Sequence, residues 1–122
     1  MTTTDIVPDG LVPADILTAE TPVAVYAEIR IRPDRDADFR ALIDATVPLV
    51  RAEDGHEQYE VHAAKGEPGT YALYERWSSG LALAAHVRQP FMLDYFGRLP
   101  EMLAGEFETR WLVPVRIPAT GS

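Results

Sequence analysis

From Val23 onward the chain alternates. Val23, Val25, Ala27, Ile29 and Ile31 fall on one side, and Tyr26, Glu28, Arg30 and Arg32 on the other. A period of two predicts a strand, which Pro33 ends. Asp34 is a candidate helix cap. Phe39, Leu42, Ile43, Thr46, Val47 and Val50 then recur at helical spacing. Pro48 has no amide donor and is expected to kink that helix, and Glu53-Asp54-Gly55 closes it. Two further strands, 56–64 and 70–78, flank a turn over 65–69 and predict a β-hairpin. Ser78 or Ser79 caps a short helix over 81–88. Pro90 interrupts it and opens another over 91–103, which Gly105 closes. A last strand over 106–115 contains Pro114, a sign of an edge position or a late bulge.

The predicted order is β-α-β-β-α-(α)-β, the ferredoxin-like α+β arrangement of a four-stranded antiparallel sheet with helices on one face. The other face then needs cover. A second copy supplies it simply, because two such sheets stack into a dimeric α+β barrel. Three segments follow: an N-terminal arm over 1–21, a folded domain over 22–117 and a short tail over 118–122. The arm has prolines at 8 and 13, and apolar residues from Ile6 to Leu17 that can pack on the body or on a partner copy.

Composition narrows the chemistry. A chain of 122 residues with 47% hydrophobic content fits one domain with its own core. It has no cysteine, which removes disulfides, thiolate catalysis and thiolate metal sites. A net charge of −8 repels phosphate backbones and anionic lipid, so neither nucleic acid nor a membrane is expected as a partner. No apolar run approaches the roughly 20 residues of a spanning helix. The opening MTTTDIVPDG lacks the pattern of a signal peptide, so the expected location is the cytoplasm. The three histidines, at 56, 62 and 86, have no recognised ligand spacing, so no metal site is expected. GEPG reads as a turn, not as a nucleotide loop.

The hairpin allows a geometric expectation. With Lys65 opposite Thr70, one sheet face carries Gln58, Glu60, His62, Tyr71, Leu73, Glu75 and Trp77. The other carries Tyr59, Val61, Ala72, Tyr74 and Arg76. Glu60 then faces Glu75. Two opposed carboxylates cannot ionise equally, which makes one of them a base near neutrality, unless Arg76, Arg30 or Arg88 neutralises them. A slip of one residue would exchange these associations.

Several segments together resemble the antibiotic biosynthesis monooxygenase (ABM) family over about residues 23–115. They are Glu53 and Gly55, the aromatic Tyr59 in the following strand, Glu75-x-Trp77 ending the next strand, and Ala85-His86 on the next helix. No one of these is specific, but their order and spacing are. The resemblance implies a dimeric α+β barrel and cofactor-independent oxidation of aromatic polyketides or quinols by O2. Relatives on the same fold degrade haem or isomerise small sugar-like signals. The second histidine that many members carry is replaced by Phe91. The first-strand Asn of haem-degrading members is replaced by Ala27, and no histidine lies between 91 and 105, so haem degradation is disfavoured.

In the terms of that resemblance, His62 matches the strand histidine of the polyketide-oxidising members and Trp77 their pocket tryptophan. A neutral imidazole at His62 would accept a phenolic proton. Trp77 would stack on a planar ligand and donate its indole N–H. His86 either reaches the pocket mouth or bonds a local carbonyl. Tyr71, Leu73, Glu60 and Glu75 are placed on the substrate-binding face by the assumed register. Arg88 is a candidate for orienting an anionic oxygen, and Phe91 and Tyr95 for the pocket roof. The expected activity is a cofactor-free monooxygenase turning a phenol or hydroquinone into a quinone. Its partners would be a small aromatic substrate, O2 and a second copy of the chain, with no flavin, haem or metal. The alternatives are a non-oxidative isomerase or polyketide cyclase, and a ligand-binding protein without turnover.

Overall fold

The protein is described by a computed structural model, in which residues 12–115 are placed well enough to describe. A four-residue helix, α1 (Ala14–Leu17), precedes the first strand, β1 (Val23–Arg30). A 3-10 turn over Pro33–Arg35 leads into α2 (Asp36–Arg51). The hairpin strands β2 (His56–Ala63) and β3 (Thr70–Trp77) follow. Then come α3 (Gly80–Val87), α4 (Pro90–Met102) and β4 (Glu108–Leu112). The sheet is antiparallel in the order β2-β3-β1-β4, as the ferredoxin-like arrangement requires. The expected edge position of the last strand is observed, although β4 is shorter than predicted.

One local expectation changes, and another resolves to one of its two alternatives. Asp34 does not cap α2: it lies in the 3-10 turn and accepts from Arg32, while the residue at the cap position, Arg35, has no capping side-chain bond. α2 continues through Pro48 to Arg51. Ser79, not Ser78, caps α3, its hydroxyl accepting the Ala82 N–H at 3.0 Å.

The hairpin register is the substantive correction. Ala64, not Lys65, is bonded to Thr70, its N–H reaching the Thr70 carbonyl at 2.8 Å. Residues 65–69 therefore form a five-residue loop, with Gly66 and Gly69 both in the left-handed region at φ 81° and 84°. Glu60 pairs with Tyr74, His62 with Ala72, and Tyr59 with Glu75. The face assignments of β2 are thus exchanged relative to the expected ones, because strand side chains alternate with a period of two. Near its start β2 also contains a β-bulge. His56 opposes Trp77 and Gln58 opposes Arg76, which leaves Glu57 as the extra residue.

Val25, Ala27, Ile29, Tyr59, Tyr71, Leu73 and Trp77 form the buried sheet face and join one core with Phe39, Leu83, Met92, Tyr95 and Leu99 from the helices. The opposite face holds Tyr26, Gln58, Glu60, His62, Tyr74 and Arg110, and no helix among the described residues covers it. Of the arm, Val12 and Ile16 belong to the core, and α1 packs on α3. The expectations for residues 1–11 and for the tail over 118–122 lie outside the described residues.

Candidate active site

Glu75 and His86 are a buried carboxyl and a buried imidazole in the core, and the sequence brings them together from different elements. Glu75 lies on the inner face of β3, two residues before Trp77. His86 lies in the last turn of α3, which Ser79 caps and which packs back over the sheet. Glu53 follows α2, and its carboxylate takes His86 Nδ1 at 2.6 Å. An ionised carboxylate only accepts hydrogen bonds, so this contact puts a ring proton on Nδ1. Nε2 points to Glu75 Oε1 at 3.7 Å, too long for a hydrogen bond.

Aromatic rings fix the imidazole. Trp77 lies against His86 with centroids 4.5 Å apart and planes at 31°. Tyr59 meets it edge-on at 6.0 Å. The Trp77 indole N–H donates to Glu75 Oε1 at 2.7 Å. Burial pushes the Glu75 carboxyl above its ordinary value, while His86 and the Trp77 hydrogen bond pull it back and Glu53 adds to the rise. The Tyr59 and Tyr95 phenols are raised as well, chiefly by burial, which keeps both neutral.

These groups border a small cavity of about 50 Å³ between the sheet and α3 and α4. Its walls are Val25, Ala27, Leu73, Leu83, Met92, Tyr95, Trp111 and others of the same kind, with Glu75 and His86 contributing the ionisable groups. The chemistry this permits is proton transfer in a nearly dry site. An imidazole with its tautomer fixed and a carboxyl biased toward the protonated form flank the same point. Among the described residues no group of three or more His, Asp or Glu is arranged to hold a metal.

Of the residues picked out from the sequence, Trp77, Glu75, His86, Leu73 and Tyr95 come together here. His62 and Glu60 do not. They lie on the helix-free sheet face, bonded to each other at 3.2 Å, and the His62 side chain is 69% exposed. The opposed pair of Glu60 and Glu75 therefore does not exist. Tyr71 is in the core but packs on Phe39 at 4.8 Å, with its hydroxyl between Asp36 and Arg40, away from the cavity. Phe91 lines an outer groove between α2 and α4. Arg88 is exposed and donates to the Ala84 carbonyl. Glu53 and Tyr59 were not expected at the site. Tyr59 was hidden by the register slip. Glu53 is 33 residues from His86 in sequence, and no local spacing signals their contact.

The sequence profile of the antibiotic biosynthesis monooxygenase family matches residues 22–98. The Mycobacterium tuberculosis protein Rv0793, named a putative monooxygenase, is 36% identical over 95 residues, which is 78% of this chain and 93% of that protein. Its solved structure superposes with a TM-score of 0.75, covering 81% of this chain and all of that one. The Bacillus subtilis protein YcnE, named in the same way, is 23% identical over 70% of this chain and 90% of its own length. The structure of PA3566 from Pseudomonas aeruginosa aligns with a TM-score of 0.71 at 25% identity, covering 79% of this chain and 96% of that one. The chain belongs to the antibiotic biosynthesis monooxygenase family.

Proposed function

We propose that the protein is a cofactor-independent monooxygenase that oxidises a phenolic or hydroquinone ring, of the aromatic polyketide class, to a quinone with O2. The observation that carries this reading is the His86 imidazole. It is held by Glu53 at 2.6 Å and stacked on Trp77, and it faces Glu75 across the cavity wall. In this reading the base role expected of His62 passes to His86. Nε2 takes the acidic proton of the ring, and Glu53 stabilises the imidazolium that results. The electron-rich carbanion or phenolate then reacts with O2 at the ring carbon. Loss of water from the hydroperoxide leaves one oxygen atom in the product and the other in water. A phenol thereby gains one oxygen and gives up two hydrogens to become the quinone, those two hydrogens leaving on the second oxygen; a hydroquinone exchanges the same atoms and becomes a hydroxyquinone. Glu75, biased toward its protonated form, is placed to donate to the departing peroxide oxygen. The apolar walls keep the proton and the anion from bulk water.

Family membership and the names of the relatives support the oxygenase class. The helix-free sheet face, with Tyr26, Tyr74 and the exposed Leu112 at its edge strand, supports a homodimer in which a second copy covers it. A monomer mass at sedimentation equilibrium would remove that part. No described helix is long and apolar enough to cross a membrane. The net charge of −8 disfavours nucleic acid and anionic lipid, and so supports a small molecule as the partner of a cytoplasmic protein.

The deciding experiment is O2 uptake with a panel of tricyclic phenols and hydroquinones. Uptake matched one-to-one by quinone is expected. His86→Phe, which keeps a ring against Trp77, should lower the rate by about 100-fold or more. Turnover of the same compounds without uptake would point to an isomerase or cyclase. Full activity in His86→Phe would remove the assignment of the base.

A further inference from the structure

The cavity is small for the ligand its chemistry suits. A pocket that houses a single benzene ring measures roughly 150 Å³, about three times the 50 Å³ found here. Its other walls belong to the sheet, α3, α4 and Phe107 just before β4, but Val12 comes from the N-terminal arm. Val12 lines the cavity and is 5% exposed, and it lies ten residues ahead of the part that the family profile matches.

Val12 is held in place through a narrow attachment. Pro13 begins the turn of α1, and Ile16 is buried. The Ala19 carbonyl then accepts two N–H groups from the start of α3, Gly80 at 2.9 Å and Leu81 at 3.3 Å. This contact requires glycine at 80. A Cβ there would lie 1.7 Å from the Ile16 carbonyl oxygen, far inside van der Waals contact. Four helical residues without a capping side chain have no stability of their own. What holds the segment is the burial of Val12 and Ile16 and its seat on Gly80.

We propose that residues 12–19 are a removable wall of the cavity, with Val12 as the residue that sets the size of ligand admitted. With the wall seated, the cavity takes O2 or water. With it displaced, the space beside Glu75 and His86 takes a neutral, weakly acidic aromatic ring. Ring binding then competes with the seating of Val12, so the observed affinity is lowered by the fraction of molecules whose wall is closed. The inference rests on this cavity being the ligand site, but not on the ligand being oxidised.

The test is the binding of 2-naphthol by calorimetry, to the parent chain and to two variants. Val12→Ala trims the wall without touching its seat. Gly80→Ala unseats it, at a helical position where alanine is itself the more favourable residue. Each is expected to bind 2-naphthol about tenfold tighter than the parent. In Gly80→Ala the amides of Leu17 and Thr18 should also exchange with solvent faster. Their N–H groups bond only within the segment, to Pro13 and Ala14. Should Gly80→Ala fail to fold, Val12→Ala decides alone. A gain of less than about threefold in Val12→Ala, including no binding by any of the proteins, overturns the proposal. Loss of the oxygenase reading would show differently, as unchanged naphthol binding with no O2 consumed.

Discussion

Glu75 is 7% exposed and takes the indole N–H of Trp77. In the folded chain its carboxyl titrates above the ordinary 4.5, chiefly because burial penalises the charged form. In the unfolded chain it titrates at the ordinary value. Between those two pH values the folded state holds a proton that the unfolded state has released. The stabilisation is therefore complete below about pH 4.5 and is lost as pH rises through the raised value. Glu75→Gln removes that dependence and keeps an oxygen for Trp77. Its melting temperature should gain on the parent's as pH rises above about 4.5 and through the raised value. Calorimetric melts that run parallel over this range would show that another group sets the slope. Trp77, Glu75 and His86 were legible because they fall at the positions of the family resemblance. Glu53 was picked out with them, but its contact with His86 was not legible, because it comes from where the end of α2 meets α3.

The β2–β3 hairpin shows how an element can be read correctly and its register missed. Both strands were evident from their alternation, and the loop from its two glycines. Whether four or five residues turn the corner depends on backbone angles that composition does not reveal. The fifth residue moved His62 and Glu60 to the outer face and Tyr59 to the inner one. Gly69 is where the structure enforces that choice. At φ 84° a Cβ would lie 2.8 Å from the Ile31 carbonyl oxygen, beside the bond from Ile31 N–H to the Gly69 carbonyl. Gly66 has a similar φ but open space around it. Gly66→Ala should cost about 1 kcal/mol, the left-handed penalty alone. Gly69→Ala should cost clearly more in urea unfolding. Equal costs would mean that the close approach to Ile31 does not hold the loop.

At the scale of the whole molecule, element order and strand order follow from periodicity and punctuation, and the family is legible in residues 53–86. The arm was legible only as two alternatives, packing on the body or on a partner copy. Val12 and Ile16 are two apolar residues among prolines and threonines, and the folded chain puts them in its own core. The bulge in β2 has a consequence for how the chain tolerates changes in its length. Deleting a residue from a strand normally inverts every side chain beyond it. Here Glu57 is the surplus residue, with His56 inward before it and Gln58 outward after it. Its removal would restore strict alternation and leave Tyr59, Val61 and Ala63 where they are. The loss would be its partly exposed ion pair with Arg76, worth under about 1 kcal/mol. A chain lacking Glu57 should melt close to the parent, while one lacking Glu60 should not fold. The site thus has one position on its supporting strand where the reading frame of the sheet survives a deletion.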